Sequence, residues 1–383
     1  MKFIINGATL SHSLNSVMGV IAKNNTIPIV ENFLFELKGN TLSITATDLE
    51  TLANISVELQ EADQMGKNAV CVPAKDFYNL VNQLTAVPLT IFVNEDYSID
   101  VNTTEGKYNF KGIEPEDYPQ MTQIEDANVF TIKSSTLAKA IGKTLFATSD
   151  DEFRPQMTGV LFEFTQKGLT FVGTDSHKLV RFRNTSFATE EERAFILPKK
   201  TLNILQRILT SINQDMDVKV ENNISNVAFF FGNYNISCRL IDGRYPQYEQ
   251  AIPTDNSNKL IINTSALMKS VKRVKIFANP ASNQIRFSLE QKRLIIVAED
   301  NNYGTRGREE LPCSYEGEPM DIGFNAEFVL EILSNIETED VCFELARPDR
   351  PCIVLPYEVE QTGGETNTEE SLLMLIMPVI LNF

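Results

Sequence analysis

The stretch VGTDSHKLVR, residues 172–181, sets Asp175, Ser176, His177 and Lys178 side by side, and His177 is one of only two histidines in the chain. An acid, a hydroxyl and an imidazole are the parts of a nucleophilic hydrolase, provided the base reaches the hydroxyl. Glu50, Asp175 and Asp300 suggest a second chemistry, carboxylates gathered around a metal in a nuclease or hydrolase. Both chemistries need their groups to converge at one place.

The residues around Asp175 recur. TLSITATDLETLANISV (41–57), GLTFVGTDSHKLVRFRN (168–184) and RLIIVAEDNNYGTRGRE (293–309) share an alternating apolar strand, an acid, a short polar turn and a second segment. Asp48, Asp175 and Asp300 stand 127 and 125 residues apart, and so do Phe35, Phe162 and Phe287. Aspartate favours such turns by bonding its own backbone, so a structural turn residue is the favoured reading of Asp175. Ser176 and His177 do not recur: Leu49–Glu50 and Asn301–Asn302 take their places. The middle copy is specialised. His177, with no acid–base partner motif, reads as a turn histidine rather than a catalyst.

Helical patterns keep the same period. VPAKDFYNLVNQL (72–84), LPKKTLNILQRIL (197–209) and IGFNAEFVLEIL (322–333) each run from a strand end into a helix with apolar residues at i, i+3, i+4 and i+7. FIINGATLSHSLNSV (3–17), FTIKSSTLAKAIGKT (130–144) and LIINTSALMKSVKRV (260–274) each read as a short strand and a capped helix, with Ser134 or Ser135 and Thr264 or Ser265 as caps. The linkers hold a shared YPQ, at Tyr118 and Tyr245. The expected organisation is three α+β domains at 1–125, 126–256 and 257–383, each with two helices and a mainly antiparallel sheet.

The 383 residues are 43% apolar, enough for folded cores. Five cysteines, at 71, 238, 313, 342 and 352, are odd in number and never spaced CxxC. They imply neither a disulfide framework nor a zinc site and fit a reducing cytosol; no metal or cofactor is expected. The start MKFIINGATLSHS has no unbroken apolar run, so no signal peptide is expected. LLMLIMPVIL (372–381) is too short to span a bilayer and reads as a buried strand, so no membrane partner is expected.

Net charge is −17, but the six helical segments sum to +7 and leave −24 for the rest. Apart from Lys75, which Asp76 cancels (74–86), the basic residues are Lys23 (9–25), Lys139 and Lys143 (134–148), Lys199, Lys200 and Arg207 (199–213), and Lys269, Lys272, Arg273 and Lys275 (265–279). A basic lining on an acidic body holds a polyanion by nonspecific phosphate attraction. Two chains would supply twelve helices. At about 9–10 Å between axes, a closed ring of them leaves a hole of roughly 26 Å, and a B-DNA duplex is roughly 20 Å across.

The triple repeat, TDSHKL (174–179), LIDGRYPQY (240–248), IGFN (322–325) and the apolar end with Met377–Pro378 together resemble the bacterial DNA polymerase III beta subunits, the sliding clamps, over the whole chain. The resemblance implies a non-catalytic, head-to-tail homodimeric ring of clamp-type domains. Such a ring encircles double-stranded DNA and tethers the polymerase III catalytic subunit as a processivity factor. A clamp loader opens it, and other polymerases and repair proteins dock through short hydrophobic peptides. The implied peptide-binding positions are Arg154, Met157, Thr174, Ser176, His177, Lys178, Leu179, Pro246, Asn325, Phe328, Leu375, Met377 and Val379. For Leu179 and Leu375, ordinary core packing is an equal reading. Tyr108, Phe110, Ile276 and Phe277 match the dimer interface; covering of their own sheet edges is the alternative. Departures from the family pattern are Gln250–Ala251 at the pocket rim, Pro155–Gln156 for an aromatic pair, Ile380 near the end and Asn24 in a DNA-facing loop. A metal-dependent nuclease and a three-domain adaptor that binds no nucleic acid remain the competing readings.

Overall fold

The computed structural model describes residues 1–21, 27–64, 66–120, 124–187, 189, 192–358 and 369–381. In the first copy the order is β1 (Lys2–Asn6), α1 (Gly7–Met18), β2 (Asn32–Lys38), β3 (Thr41–Thr47), β4 (Thr51–Glu58), β5 (Glu61–Asp63), β6 (Ala69–Pro73), α2 (Ala74–Gln83), β7 (Pro88–Val93), β8 (Ser98–Asn102) and β9 (Lys107–Lys111). The second copy follows with β10 (Asn128–Lys133), α3 (Ser134–Thr144), β11 (Gly159–Thr165), β12 (Gly168–Thr174), β13 (Lys178–Asn184), β14 (Arg193–Pro198), α4 (Lys199–Ser211), β15 (Asp217–Asn222), β16 (Asn226–Phe231) and β17 (Tyr234–Arg239). The third has β18 (Asn258–Asn263), α5 (Thr264–Lys275), β19 (Gln284–Glu290), β20 (Arg293–Asp300), β21 (Thr305–Pro312), β22 (Ser314–Glu316), β23 (Met320–Asn325), α6 (Ala326–Ser334), β24 (Asp340–Leu345), β25 (Cys352–Tyr357) and β26 (Glu370–Ile376).

All six expected helices are present. Each buries its periodic face: Leu10, Leu14 and Val17 in α1 and Leu267, Val271 and Val274 in α5 are at most 1% exposed. The caps differ from expectation. Thr264 is the first helical residue of α5, and the cap is Asn263, whose side chain accepts from Ala266 N–H. At α3 the carboxylate of Asp215 accepts from Ser135 N–H at 2.9 Å and from the Ser134 hydroxyl at 3.0 Å. Those bonds, the Ser135 amide first, hold the Asp215 carboxyl below its ordinary range. An asparagine or a distant aspartate thus does the work expected of a local hydroxyl.

The chain packs as two compact units that cut across the sequence copies, one of residues 1–139 with 198–241 and the other of 140–197 with 242–383. In the first, strands in the order β5-β1-β7-β8-β9 form one sheet and β10-β15-β16-β17-β4-β3-β2-β6 another. In the second, the orders are β14-β11-β12-β13-β26-β25-β24-β18-β22 and β21-β20-β19-β23. Each larger sheet therefore crosses from one copy to the next. β4 pairs with β17 antiparallel, and β13 pairs with β26 in the same way.

The two seams share one register. Thr51 faces Cys238, and its counterpart Lys178 faces Ile376. The next residues, Arg239 and Met377, donate their N–H groups to the carbonyls of Glu50 and His177 at 2.9 and 2.8 Å. A slip of one residue would turn every buried side chain of these strands outward.

The linker tyrosines are structural. Tyr118 is 2% exposed and its hydroxyl donates to the carbonyls of Asn32 and Thr45 at 3.1 and 3.2 Å. Tyr245 is 8% exposed and donates to the carbonyl of Val172 at 3.0 Å, the position 127 residues after Thr45. Each ties the segment after one copy to the middle strand of its hairpin. Tyr118→Phe and Tyr245→Phe should each cost about 1–2 kcal/mol by leaving buried carbonyls under-satisfied. A lower thermal midpoint for both, with none for the exposed control Tyr303→Phe, is the expected result.

Candidate functional site

The corner around residues 174–179 is built by the second hairpin. Asp175 Oδ1 accepts from the backbone N–H groups of His177 and Lys178, both at 2.8 Å. Thr174 Oγ1 donates to the carbonyl of Lys178 at 2.8 Å. These bonds force Ser176 into the left-handed region, φ +79°. The turn pushes Ser176 and His177 outward at the end of β12 and β13.

No hydrolase geometry results. The Ser176 hydroxyl accepts from Arg154 Nη1 at 2.7 Å and lies 3.5 Å from the sulfur of Met157. The His177 ring instead stacks on Phe328, with centroids 5.8 Å apart. Asp175 Oδ2 is held by Lys178 Nζ at 2.5 Å. Asp300 is likewise occupied in its own turn, accepting from Asn302 N–H at 2.8 Å and from the Asn279 amide at 3.1 Å. Among the described residues no group of three or more His, Cys, Asp or Glu side chains could hold a metal ion. Burial pushes the thiols of Cys71 and Cys238 up to about 12, which removes them as thiolate nucleophiles.

What the corner does form is a surface of mixed chemistry. Lys178 is 5% exposed, an unusual place for an ammonium group. It is answered by Asp175, by Glu331 of α6 at 3.1 Å and by the face of Phe328, 4.6 Å from the ring centroid. Arg154 is fixed between Ser176 and Asp151, and its hydrogen bond holds the Asp151 carboxyl below the ordinary range. Leu179 faces Leu375 across the β13–β26 ladder. Beyond β26 the chain turns along the corner, and Met377 bonds His177. Val379 N–H then donates to Gly323 at 2.9 Å. A Cβ at Gly323 would lie 2.5 Å from the carbonyl oxygen of Val379, so β23 needs glycine there. Asn325 ends β23 and caps α6, accepting from Glu327 N–H at 2.9 Å. Pro246 follows the buried Tyr245. These contacts bring Arg154, Met157, Ser176, His177, Lys178, Phe328 and Met377 to one corner, with Thr174, Leu179 and Leu375 in the ladder beneath it.

Three profiles match the sequence. They describe the N-terminal, central and C-terminal domains of the DNA polymerase III beta subunit and match residues 1–122, 131–247 and 249–363. The chain belongs to the DNA polymerase III beta subunit family. Among curated relatives, the beta sliding clamp of Synechococcus elongatus is 27% identical over 363 residues, covering 93% of this chain and 96% of that protein. That of Caulobacter vibrioides is 28% identical with the same coverage. The solved DnaN sliding clamp of Pseudomonas aeruginosa bound to griselimycin is similar over 100% of both chains, with a TM-score of 0.90 and 26% identity. The beta subunit from Thermotoga maritima gives 0.89 at 25% identity, again over both full chains. The fold is therefore that of three beta-clamp domains, and the family is one of non-catalytic processivity factors in DNA replication.

The clamp family's other expected sites fall in different places. Tyr108 and Phe110 lie on β9, the last strand of its sheet, and the Phe110 ring meets Phe77 at 5.5 Å. Ile276 and Phe277 follow α5; Ile276 is 77% exposed. The Phe277 ring covers Gly307 of the edge strand β21 so closely that a Cβ there would meet it at 2.4 Å.

Of the basic set, Lys23 lies outside the described residues, as does Asn24. Lys139, Lys269 and Lys272 are exposed. Others already serve the protein. Arg207 Nη2 and Lys200 Nζ donate to the carbonyls of Ser16 and Val20 at 2.9 and 2.7 Å, placing cations at the C-terminal end of α1. Lys200 also pairs with Asp48. Lys143 is 12% exposed and donates to the carbonyl of Asn335 after α6 at 2.8 Å and to Glu337 at 2.6 Å. Arg273 makes a two-pronged pair with Glu309, and Lys275 pairs with Glu327. Lys199 is half-buried beside Lys200.

Sequence reasoning missed Asp151, Glu331 and Gly323. Glu331 lies one helical turn beyond Phe328, a spacing that could have exposed it. Asp175→Ala should strand Lys178 in its buried position and cost about 3 kcal/mol in urea unfolding. Asp175→Asn, which keeps an acceptor for both turn amides, should cost clearly less.

Proposed function

We propose that the chain closes with a second copy, head to tail, into a ring that encircles duplex DNA and tethers the polymerase III catalytic subunit to it. Domains at about 1–125, 126–256 and 257–383 supply the three arcs of each half. The observation that carries this is the repeated seam. The fourth strand of one copy pairs with the last strand of the next, twice, in one register. The same rule leaves one fourth strand, β21, and one last strand, β9, as sheet edges. An open edge is an invitation to pair, and two such edges on one chain suit a closed, heterologous dimer.

The register can be extended. Leu52 and Leu179 face Thr47 and Thr174 in their hairpins, and Arg306 faces Glu299 in the third. Asn109 precedes Lys111 as Ser237 precedes Arg239, in matching hairpins. Asn109 then lies opposite the partner subunit's Arg306. Tyr108 and Phe110 approach the partner subunit's Ile276 and Phe277 and remove that apolar end from water. The basic residues Lys139, Lys199, Lys269 and Lys272, with Lys23, Lys143, Lys200, Arg207, Arg273 and Lys275, form the DNA-facing set, acting on phosphate charge rather than base sequence.

The second-seam corner is the docking groove. Leucine, phenylalanine, a proline and two methionines beside an imidazole suit a short hydrophobic peptide, and methionine adapts to several related ones. The clamp loader, the polymerase and repair proteins would share it, in the cytoplasm. Gln250, held to Gln247 at 2.7 Å, adds an uncharged amide to its rim.

The ring is tested with Asn109→Cys together with Arg306→Cys. Directly opposed Cα atoms about 4.5–5.5 Å apart suit a disulfide. Loaded on nicked circular duplex and oxidised, the double variant should stay on the DNA through denaturant and leave on linearisation. Asn109→Cys with Arg308→Cys should not link. Failure of the first pair to link would overturn the ring.

The groove is tested separately. His177→Glu with Met377→Ala should weaken a fluorescent hydrophobic pentapeptide by at least about tenfold, while sedimentation still shows a dimer. Unchanged affinity would count against the assignment.

A further inference from the structure

The first seam repeats the turn of the second in its Asp and Thr bonds to the backbone. Leu49 and Ser176 both have φ +79°. Asp48 Oδ1 accepts from Glu50 and Thr51 N–H at 3.1 and 2.7 Å, as Asp175 does from His177 and Lys178. Thr47 Oγ1 donates to the carbonyl of Thr51 at 3.0 Å, as Thr174 does to Lys178. The same backbone walls therefore exist twice, but the side chains differ. Glu50 stands for His177, Ser237 for Leu375, Arg239 for Met377, and Thr201 for Phe328.

Between these walls lies a cavity of about 430 Å³, large enough for a short ligand segment. Leu49, Leu52, Pro119 and Ile124 give it an apolar patch, and Glu50 and Arg239 give it one charge of each sign. Both charged residues are exposed, and among the described residues neither side chain has an ion pair or hydrogen bond. Leu49, at 55% exposure, is likewise uncovered.

We infer that the first seam is a second peptide groove, taking an extended segment of a partner protein in which an aliphatic residue sits between an acid and a base. The inference rests on the reading of the second seam as a peptide groove. The aliphatic side chain covers Leu49 and Leu52. The acid meets the Arg239 guanidinium, whose planar fork matches a carboxylate, and the base meets Glu50. A hydrophobic peptide fitted to Phe328 and Met377 finds neither here. One ring then holds two classes of peptide at once, at separate seams.

Methyl resonances of the full-length dimer report the two seams independently. Acetyl-Gly-Asp-Leu-Lys-Gly-amide should shift the Leu49, Leu52 and Ile124 methyls. Arg239→Ala, and separately replacement of the peptide's aspartate by asparagine, should each weaken that response about tenfold. Arg239 is exposed, so the variant should keep the dimer and its other methyl positions. No shift at millimolar peptide, a shift indifferent to Arg239→Ala, or shifts confined to Leu179 and Leu375 would overturn the inference. The hydrophobic pentapeptide should move Leu179 and Leu375; its failure there would sink the second-seam reading while shifts at Leu49 and Leu52 still upheld this one.

Discussion

An unpaired strand edge is the constraint from which the rest of this structure follows. A sheet edge exposes a row of backbone donors and acceptors, and covering it with another strand removes the problem. Each copy of the repeat makes a hairpin whose outer strand has no partner inside that copy. The next copy supplies one: β17 covers β4, and β26 covers β13. The corner is a consequence of this pairing. Met377 can bond the carbonyl of His177 only because β26 lies in register with β13, and Val379 reaches Gly323 only because Met377 is held. The docking surface proposed above would thus arise where two copies are sewn together, not within either.

The seams must also fasten the second helix of one copy to the hairpin of its predecessor, and the two solutions reverse each other's charge. At the first seam the turn offers the acid and the helix the base, Asp48 to Lys200, with Thr51 and Thr201 hydroxyls 3.1 Å apart beneath. At the second the strand offers the base and the helix the acid, Lys178 to Glu331. Burying Lys178 is costly unless several groups answer it, and Asp175, Glu331 and Phe328 do. The exchange of Thr201 for Phe328 makes the second corner aromatic. Its counterpart stays polar, so one backbone carries two side-chain chemistries.

Much of this is legible in the sequence. The 127- and 125-residue spacing, the three hairpins and all six helices rest on local patterns, and local patterns survive in a single chain. The turn role of Asp175 is readable because Asp48 and Asp300 repeat it. The continuity of sheets from copy to copy is not, since β4 and β17 are far apart in sequence and nothing local marks them as partners. The caps fall one residue or more from their expected places for a similar reason: Asp215 reaches α3 from the distant loop before β15. In the sequence Glu331 is only a negative charge on a helix. Its work depends on a lysine in another copy.

Charge bookkeeping by helix is right in sign and incomplete in meaning. The segments are basic, but Lys143, Lys200 and Arg207 reach carbonyls at helix ends, while Arg273 and Lys275 pair with Glu309 and Glu327. Cations there are favourable because helix C-termini carry partial negative charge. Part of the basic surface therefore joins copies together and cannot also neutralise phosphates at full strength. For the ring proposed above, that suits the task. Affinity for DNA rises with the number of phosphates neutralised, and a protein that must slide is better served by holding few of them weakly. Closure of the β9 and β21 edges, rather than grip, would then keep it on the duplex, and the tethered polymerase would work at the effective concentration the ring enforces.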